Sequence, residues 1–208
     1  MLLERGDLAR TSQLTEFLIE GEHVMISIVA LGGTPRLGSS TEKALALACR
    51  AAEAAGAEIT HFDGAYMSSL PFYGGPGHKA QDGAAMVAAL READGVLIAS
   101  PGYHGSISGL VKNALDYIED LSTDERPYLH GRPVGLIATS FGHQAAMSTL
   151  LTLRSITHAL RGWPTPVGAA IRTSPETFDE NGAIQDVGAR IQLELVGQQV
   201  FGAAGKFP

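Results

Sequence analysis

Gly95-Val96-Leu97-Ile98-Ala99-Ser100-Pro101-Gly102-Tyr103-His104-Gly105-Ser106 is the stretch that decides the fold. Its first five residues are continuously apolar, which marks a strand buried on both faces of a parallel sheet. Behind it, Ile107, Leu110, Val111, Ala114, Ile118 and Leu121 fall at helical spacing and predict an amphipathic helix. Between strand and helix lies a turn rich in Gly and Pro, at the carboxyl end of a strand, where open α/β sheets bind their ligands. Two glycines there let backbone approach a flat ligand, and Pro101 removes one donor and stiffens the turn. Tyr103 and His104 offer a ring face and a polar edge.

The rest of the chain repeats the pattern of strand, loop and helix. Residues 24–31 read as a central strand, 39–55 as a helix with Ala44, Ala48, Ala51 and Ala55 on a small inner face, and 58–63 as a second strand. A long loop over 64–81, a short helix over 82–93 and the strand at 95 follow. The fourth strand is placed at 134–139, a helix at 144–160, the fifth strand at 165–171 and the last helix at 183–200. Such alternation implies right-handed crossovers and a parallel sheet. Five strands suit a three-layer α/β/α arrangement in the order 2-1-3-4-5. The domain is expected over 24–205, with 1–23 as an N-terminal extension.

The loop Gly32-Gly33-Thr34-Pro35-Arg36-Leu37-Gly38-Ser39-Ser40-Thr41 joins the first strand to the first helix. A helix start offers free N–H groups and a positive dipole end, so it favours an anion. Thr34, Ser39, Ser40 and Thr41 add hydroxyls, and Arg36 adds a guanidinium fork. The dinucleotide pattern G-x-G-x-x-G fails at Thr34, and the phosphate-binding P-loop fails at Ser39, where its lysine belongs. An ordinary N-cap at Ser39 or Ser40 is the alternative. The fourth strand leaves through Thr139-Ser140-Phe141-Gly142-His143, again before a helix that places positive potential at its start.

The run Ser100-Pro101-Gly102-Tyr103-His104-Gly105-Ser106-Ile107-Ser108-Gly109-Leu110-Val111-Lys112-Asn113-Ala114-Leu115-Asp116 resembles the S-P-x-Y-x-G-S-x-S-G-x-L-K-N-A-L-D signature of the NADPH-dependent FMN reductases. Those are flavodoxin-like proteins, including quinone, azo-dye and chromate reductases. The resemblance spans roughly 24–205 and is carried by three loops. It implies that Thr34, Arg36, Ser39, Ser40 and Thr41 hold the FMN phosphate. It also implies that Pro101, Gly102, Tyr103, His104, Gly105 and Ser106 follow the polar edge of the flavin ring. Ser140 and Phe141 stand where the family often has two glycines beside the ring, and the resemblance implies that Gly142, with the helix start behind it, places positive potential near N1 and O2 of reduced flavin. The implied reaction passes a hydride from NADPH or NADH to N5 of FMN, and electrons on to a quinone-like acceptor. The stretch 154–166 resembles the branch that supplies reduced FMN to monooxygenases. A flavodoxin-type carrier without pyridine-nucleotide turnover is the alternative, and a non-catalytic interaction protein is a third class. FMN is either a retained prosthetic group or a released substrate. No obligate side-chain acid or base is expected, since the flavin carries the hard chemistry.

Composition bounds these readings. The 208 residues are 45% hydrophobic and 18% charged, as a compact domain with a sizeable core requires. A net charge of -7 without a basic stripe argues against nucleic acid. The lone Cys49 excludes an internal disulfide and reads as a small buried hydrophobe. The histidines show no ligand spacing, so no metal is expected. No membrane-length apolar run and no signal-peptide core occur, so a cytoplasmic protein is expected. The broad apolar arc of Met147, Leu150, Leu151, Leu153, Ile156 and Leu160 predicts a homodimer or homotetramer.

Overall fold

A computed structural model describes residues 25–75 and 83–206. The expected extension 1–23 lies outside the described residues, as do the end of the long loop and the first residue of the helix expected over 82–93. The centre of the sheet is built from three apolar runs: β1 (Ile26–Gly32), β3 (Gly95–Tyr103) and β5 (Pro133–Ser140). β2 (Ala57–Phe62) completes one side. All pair in parallel, Ile28 opposite Ile59 and Gly95, and Val96 opposite Val134.

The fifth position is occupied by two fragments rather than by one strand over 165–171. β6 (Trp163–Pro164) pairs with the start of β5, and β7 (Ala169–Arg172) with its end. Pro164 and Pro166 cannot donate to a ladder, which explains the break. Arg154 Nη2 donates to the carbonyls of Thr165 and Pro166 at 3.1 and 3.0 Å, so the interrupted backbone is not left unpaired. The order 2-1-3-4-5 therefore stands, with a divided fifth strand. β4 (Ser106–Ile107) adds a short antiparallel hairpin on β3.

Alternation along the central strands feeds two cores. Val29, Leu31, Val96, Ile98, Leu136 and Ala138 face a layer of α3 (Ala84–Glu92), α4 (Gly109–Asp116), a 3-10 turn at Tyr117–Leu121, and α5 (His143–Ala159). Ile28, Ala30, Leu97, Ala99 and Ile137 face α1 (Ser40–Ala54) and α6 (Val187–Ala203). Each fully buried Val, Leu or Ile contributes about 1.5–3 kcal/mol, so this double-sided burial dominates the fold. Three local readings need correction. The inner face of α1 is Ala44, Ala48 and Ala52; Ala51 is only half-buried and Ala55 is exposed. The loop expected over 64–81 begins with a helix, α2 (Gly64–Ser69), capped by Asp63 Oδ1 accepting from Tyr66 N at 2.8 Å. Ile107 belongs to the hairpin, and the helix behind it starts two residues later, capped by Ser108 rather than by Gly105-Ser106.

Candidate functional site

The parallel register brings three loops side by side at the carboxyl edge, because Gly32 lies opposite Ala99 and Pro101 opposite Thr139. The first loop runs from Gly33 to Ser39. Ser39 is the N-cap of α1: its hydroxyl accepts from Glu42 N at 3.3 Å, and its carbonyl accepts the first helical bond, from Lys43 N. The N–H groups of Ser40 and Thr41 precede that bond and have no partner within the helix. Arg36 is exposed, and its guanidinium pairs with no other described residue. The Ser40 hydroxyl is likewise unengaged among the described residues. Thr34 closes a local turn, its hydroxyl accepting from Arg36 N and donating to Arg36 O, both at 3.2 Å. Thr41 is buried, and its hydroxyl meets Thr139 Oγ1 at 2.7 Å.

Three more residues shape this region; Glu42 belongs to the N-cap alternative read from the sequence, and Gly64 and Thr139 were not singled out as site residues. Glu42 reaches back along the loop, its carboxylate accepting from Gly38 N at 2.8 Å. This is close to a capping box, and Glu at the third helical position was its available signal. Gly64 packs on the loop from α2, and a Cβ there would meet the Thr34 carbonyl oxygen. Thr139 has no local signal, since its partner is 98 residues away.

The second loop is a tight hairpin. β3 continues through Pro101 and Gly102 to Tyr103, so Pro101 lies in the strand and not in the turn. Tyr103 faces Ser106 in the ladder, which leaves His104 and Gly105 as the two turn residues, with φ of 52° and 84°. Positive φ at both is the two-residue hairpin turn whose twist matches the strands. Tyr103, His104, Gly105 and Ser106 are all exposed. Below the turn, a Cβ on Gly102 would lie 2.6 Å from Thr149 Oγ1 and 3.2 Å from the Ala145 carbonyl. The hairpin is thus seated directly on α5. Ser100, fully buried, accepts from Ser108 N at 3.0 Å and ties the hairpin to α4.

The third loop spans Ser140 to Gly142. Ser140 Oγ donates to the Gly142 carbonyl at 2.6 Å, and Thr173 N donates to the Ser140 carbonyl at 2.7 Å. Phe141 projects outward, 81% exposed, and Arg172 Nε donates to its carbonyl at 3.3 Å. Gly142 caps α5 without any side-chain hydrogen bond, so the first N–H groups of that helix also face outward unpaired by a cap.

A further segment, 70–75, follows α2 and is tied to α4 and the 3-10 turn behind it. Asn113 Nδ2 and Tyr117 Oη both donate to the Pro71 carbonyl, at 3.0 and 2.8 Å, and Tyr73 N donates to Asn113 Oδ1 at 2.9 Å. Phe72 is held between these clamps, 88% exposed. Burial, and then the hydrogen bond from Tyr73 Oη to Asp120, push the Tyr73 phenol above its ordinary range. It stays protonated as a donor. No group of His, Cys, Asp and Glu among the described residues is arranged to hold a metal ion.

The donors fit an anionic flavin nucleotide. The start of α1, Arg36 and Ser40 offer donors that are unengaged among the described residues, and the neighbouring second loop presents an exposed hairpin with ring and backbone edges. The carboxylate of Glu42, also in the first turn of α1, opposes an anion there.

Comparison with known proteins bears on the family and the fold. The family described as NADPH-dependent FMN reductase matches residues 26–175. An FMN-dependent NADPH-azoreductase of Staphylococcus aureus strain USA300 is 31% identical over 118 residues, 56% of this chain and 59% of that protein. The match spans less than two thirds of that relative. Among solved structures, the NAD(P)H:acceptor oxidoreductase FerB of Paracoccus denitrificans superposes with a TM-score of 0.68 at 19% identity, covering 86% of this chain and 100% of that one. An NADH:FMN oxidoreductase, EmoB in its apo form, gives 0.67 at 22%, covering 88% and 92%. At these identities the superpositions show a shared flavodoxin-like fold.

Proposed function

Because the chain belongs to the NADPH-dependent FMN reductase family, we propose that it is an NAD(P)H-dependent flavin oxidoreductase that retains FMN and reduces a small quinone-like or azo acceptor. The observation that carries this reading is the start of α1: the N–H groups of Ser40 and Thr41 have no partner within the helix, and the Arg36 guanidinium and Ser40 hydroxyl of the same loop are unengaged among the described residues. Thr34 and Ser39 shape that seat, Thr34 by its turn and Ser39 by capping. Bound FMN would supply the hydride-accepting and electron-passing chemistry. The protein would bind, orient and shield. Pro101 to Ser106 offer backbone along one edge, and Ser140, Phe141 and Gly142 bring the start of α5, a positive dipole end, towards the other. NADPH or NADH and the acceptor would use the exposed side in turn.

A homodimer or homotetramer is part of the proposal. It is supported by Tyr103 and Phe141, exposed in the second and third loops, and by Met147 and Leu151, exposed on α5. Delivery of reduced FMN to a monooxygenase is a further role within the same chemistry. No helix of the described residues is long and apolar enough to cross a membrane.

Purified protein tests the reading directly. The expected result is a yellow protein with a flavin spectrum that oxidises NADPH or NADH in the presence of a quinone or azo dye. Bound flavin without pyridine-nucleotide oxidation would instead identify an electron carrier. Absence of flavin binding would overturn the proposal.

A further inference from the structure

Next to the third loop lies a pocket of about 500 Å³ that the flavin-site reading does not use. That volume is in the range of small-molecule sites. It is lined by the end of β7, the segment that follows it and the start of α6, together with His143, the first residue of α5. Two hydrogen bonds join this region to the third loop: Thr173 N donates to the Ser140 carbonyl at 2.7 Å, and Arg172 Nε to the Phe141 carbonyl at 3.3 Å. Ile171 and Ile184, both buried, give the pocket an apolar lining.

The charged groups that line it are exposed and do not neutralise one another. Arg172 shares the pocket with Glu176 and Asp186, yet no ion pair joins the guanidinium to either carboxylate. Glu176 is held by a local turn: Ser174 Oγ donates to its Oε2 at 2.8 Å, and Ser174 N donates to Thr177 Oγ1 at 2.7 Å. Asp186 Oδ1 accepts from Ala189 N at 3.0 Å and so caps α6. The start of that helix is thereby served by its own carboxylate and is no seat for an anion. What stays open to a ligand is a guanidinium tied to the third loop, and one oxygen each on Glu176 and Asp186 that is unengaged among the described residues.

These groups select a ligand by its chemistry. A carboxylate repels phosphate but accepts from a diol, which is how acidic residues recognise an unphosphorylated ribose. A guanidinium pairs with a pyrophosphate. Apolar walls suit a purine ring. The adenosine diphosphate half of a pyridine dinucleotide has all three parts.

We propose that this pocket receives the adenosine half of the hydride donor, with Arg172 on the pyrophosphate and Glu176 on the ribose hydroxyls, so that NADH is favoured over NADPH. The proposal rests on the flavin-oxidoreductase reading above and assigns the donor preference which that reading leaves open. Glu176 is the specificity-determining residue. The 2′-phosphate that distinguishes NADPH would meet a like charge there, and Asp186 adds to the repulsion. Both donors still react, since their nicotinamide is the same.

The test has a binding arm and a kinetic arm, on the wild-type chain, Glu176→Gln and Arg172→Ala. Calorimetric titration uses ADP-ribose and 2′-phospho-ADP-ribose, which carry the adenosine half without nicotinamide. Initial rates use NADH, NADPH and reduced nicotinamide mononucleotide, which lacks that half. The wild-type chain is expected to bind ADP-ribose about tenfold more tightly than its 2′-phosphate, and to show a similar ratio of kcat/KM between NADH and NADPH. Glu176→Gln should narrow both ratios to about two- to threefold, by improving the phosphorylated ligand. Arg172→Ala should weaken all four ligands about tenfold. The mononucleotide should react alike with all three proteins. Equal wild-type affinity for the two ADP-riboses overturns the proposal, as does a ratio unmoved by Glu176→Gln. An equal fall of the mononucleotide rate in Arg172→Ala also overturns it, since Arg172 would then act only by supporting the third loop. Should Arg172→Ala fail to fold, the isosteric Glu176→Gln decides alone. A wild-type chain that oxidises both donors but binds no ADP-ribose overturns the pocket and leaves the functional reading standing. One that binds ADP-ribose with the expected ratio but oxidises neither donor supports the pocket and overturns that reading.

Discussion

At the scale of single residues, the strongest charge in the candidate site is Arg36. Its guanidinium has no competing partner among the described residues, so a phosphate would engage it fully. A charge-assisted hydrogen bond contributes roughly 1.5–3 kcal/mol, so Arg36→Ala should weaken FMN about tenfold or more in a fluorescence titration. Unchanged affinity would place the phosphate elsewhere. Cys49 behaves in the opposite way. Burial, and next the nearby Glu53, push its thiol up from 9.0 to about 12. A native thiol that keeps its proton is inert, so a thiol reagent at neutral pH should react only after unfolding. The sign for stability follows from the same shift. Between pH 9.0 and about 12 the unfolded chain releases a proton that the native chain retains, so this group's contribution is intact below pH 9.0 and lost as pH climbs through that window. Denaturant melts from pH 8 to 11 should show falling stability, and Cys49→Ala should lessen the fall. The polar character of the first loop was legible residue by residue. The inward turn of Thr41 was not, because it depends on Thr139, a contact between two elements remote in sequence.

At the scale of elements, the hairpin of β3 and β4 is fixed by what lies beneath it. A Cβ at Gly102 would press on Thr149 Oγ1 at 2.6 Å and on the Ala145 carbonyl at 3.2 Å, and helix backbone cannot yield cheaply. Gly102→Ala should lift the hairpin from α5, lower the melting temperature and weaken flavin binding together. A variant with wild-type melting and binding would show that the contact relaxes freely. Gly105 carries a different constraint: its surroundings are open, so a substituent there is penalised through a φ of 84° rather than by collision. The central strands were legible because burial on both faces writes a continuous apolar run. The ends of elements were not. Ile107 shares the spacing of the α4 stripe yet lies in the hairpin, since periodicity does not register a turn set by positive φ at His104 and Gly105. α2 was hidden because six residues with a Gly start carry too little period to read. The fifth strand looked continuous because Val167 and Ile171 are apolar, whereas the prolines around Thr165 decide the pairing.

At the scale of the whole molecule, Tyr103, Phe141, Met147 and Leu151 are exposed on the second and third loops and on α5. A monomer rarely leaves so much apolar surface beside one site. Light scattering at micromolar concentration should report at least a dimer, and Leu151→Glu should shift it towards monomer with the circular dichroism spectrum kept. A wild-type monomer would refute the association. Such association would use a helix face, and the divided fifth strand bears on why it need not use the sheet. A long, straight outer strand is a template on which further copies can grow into fibres. Here that rim offers only two residues at Trp163–Pro164 and four at Ala169–Arg172, with Arg154 already occupying the carbonyls between them. The break that spoils a regular ladder thus leaves an incoming chain no track to follow along that rim, which guards the folded protein against runaway aggregation from that side.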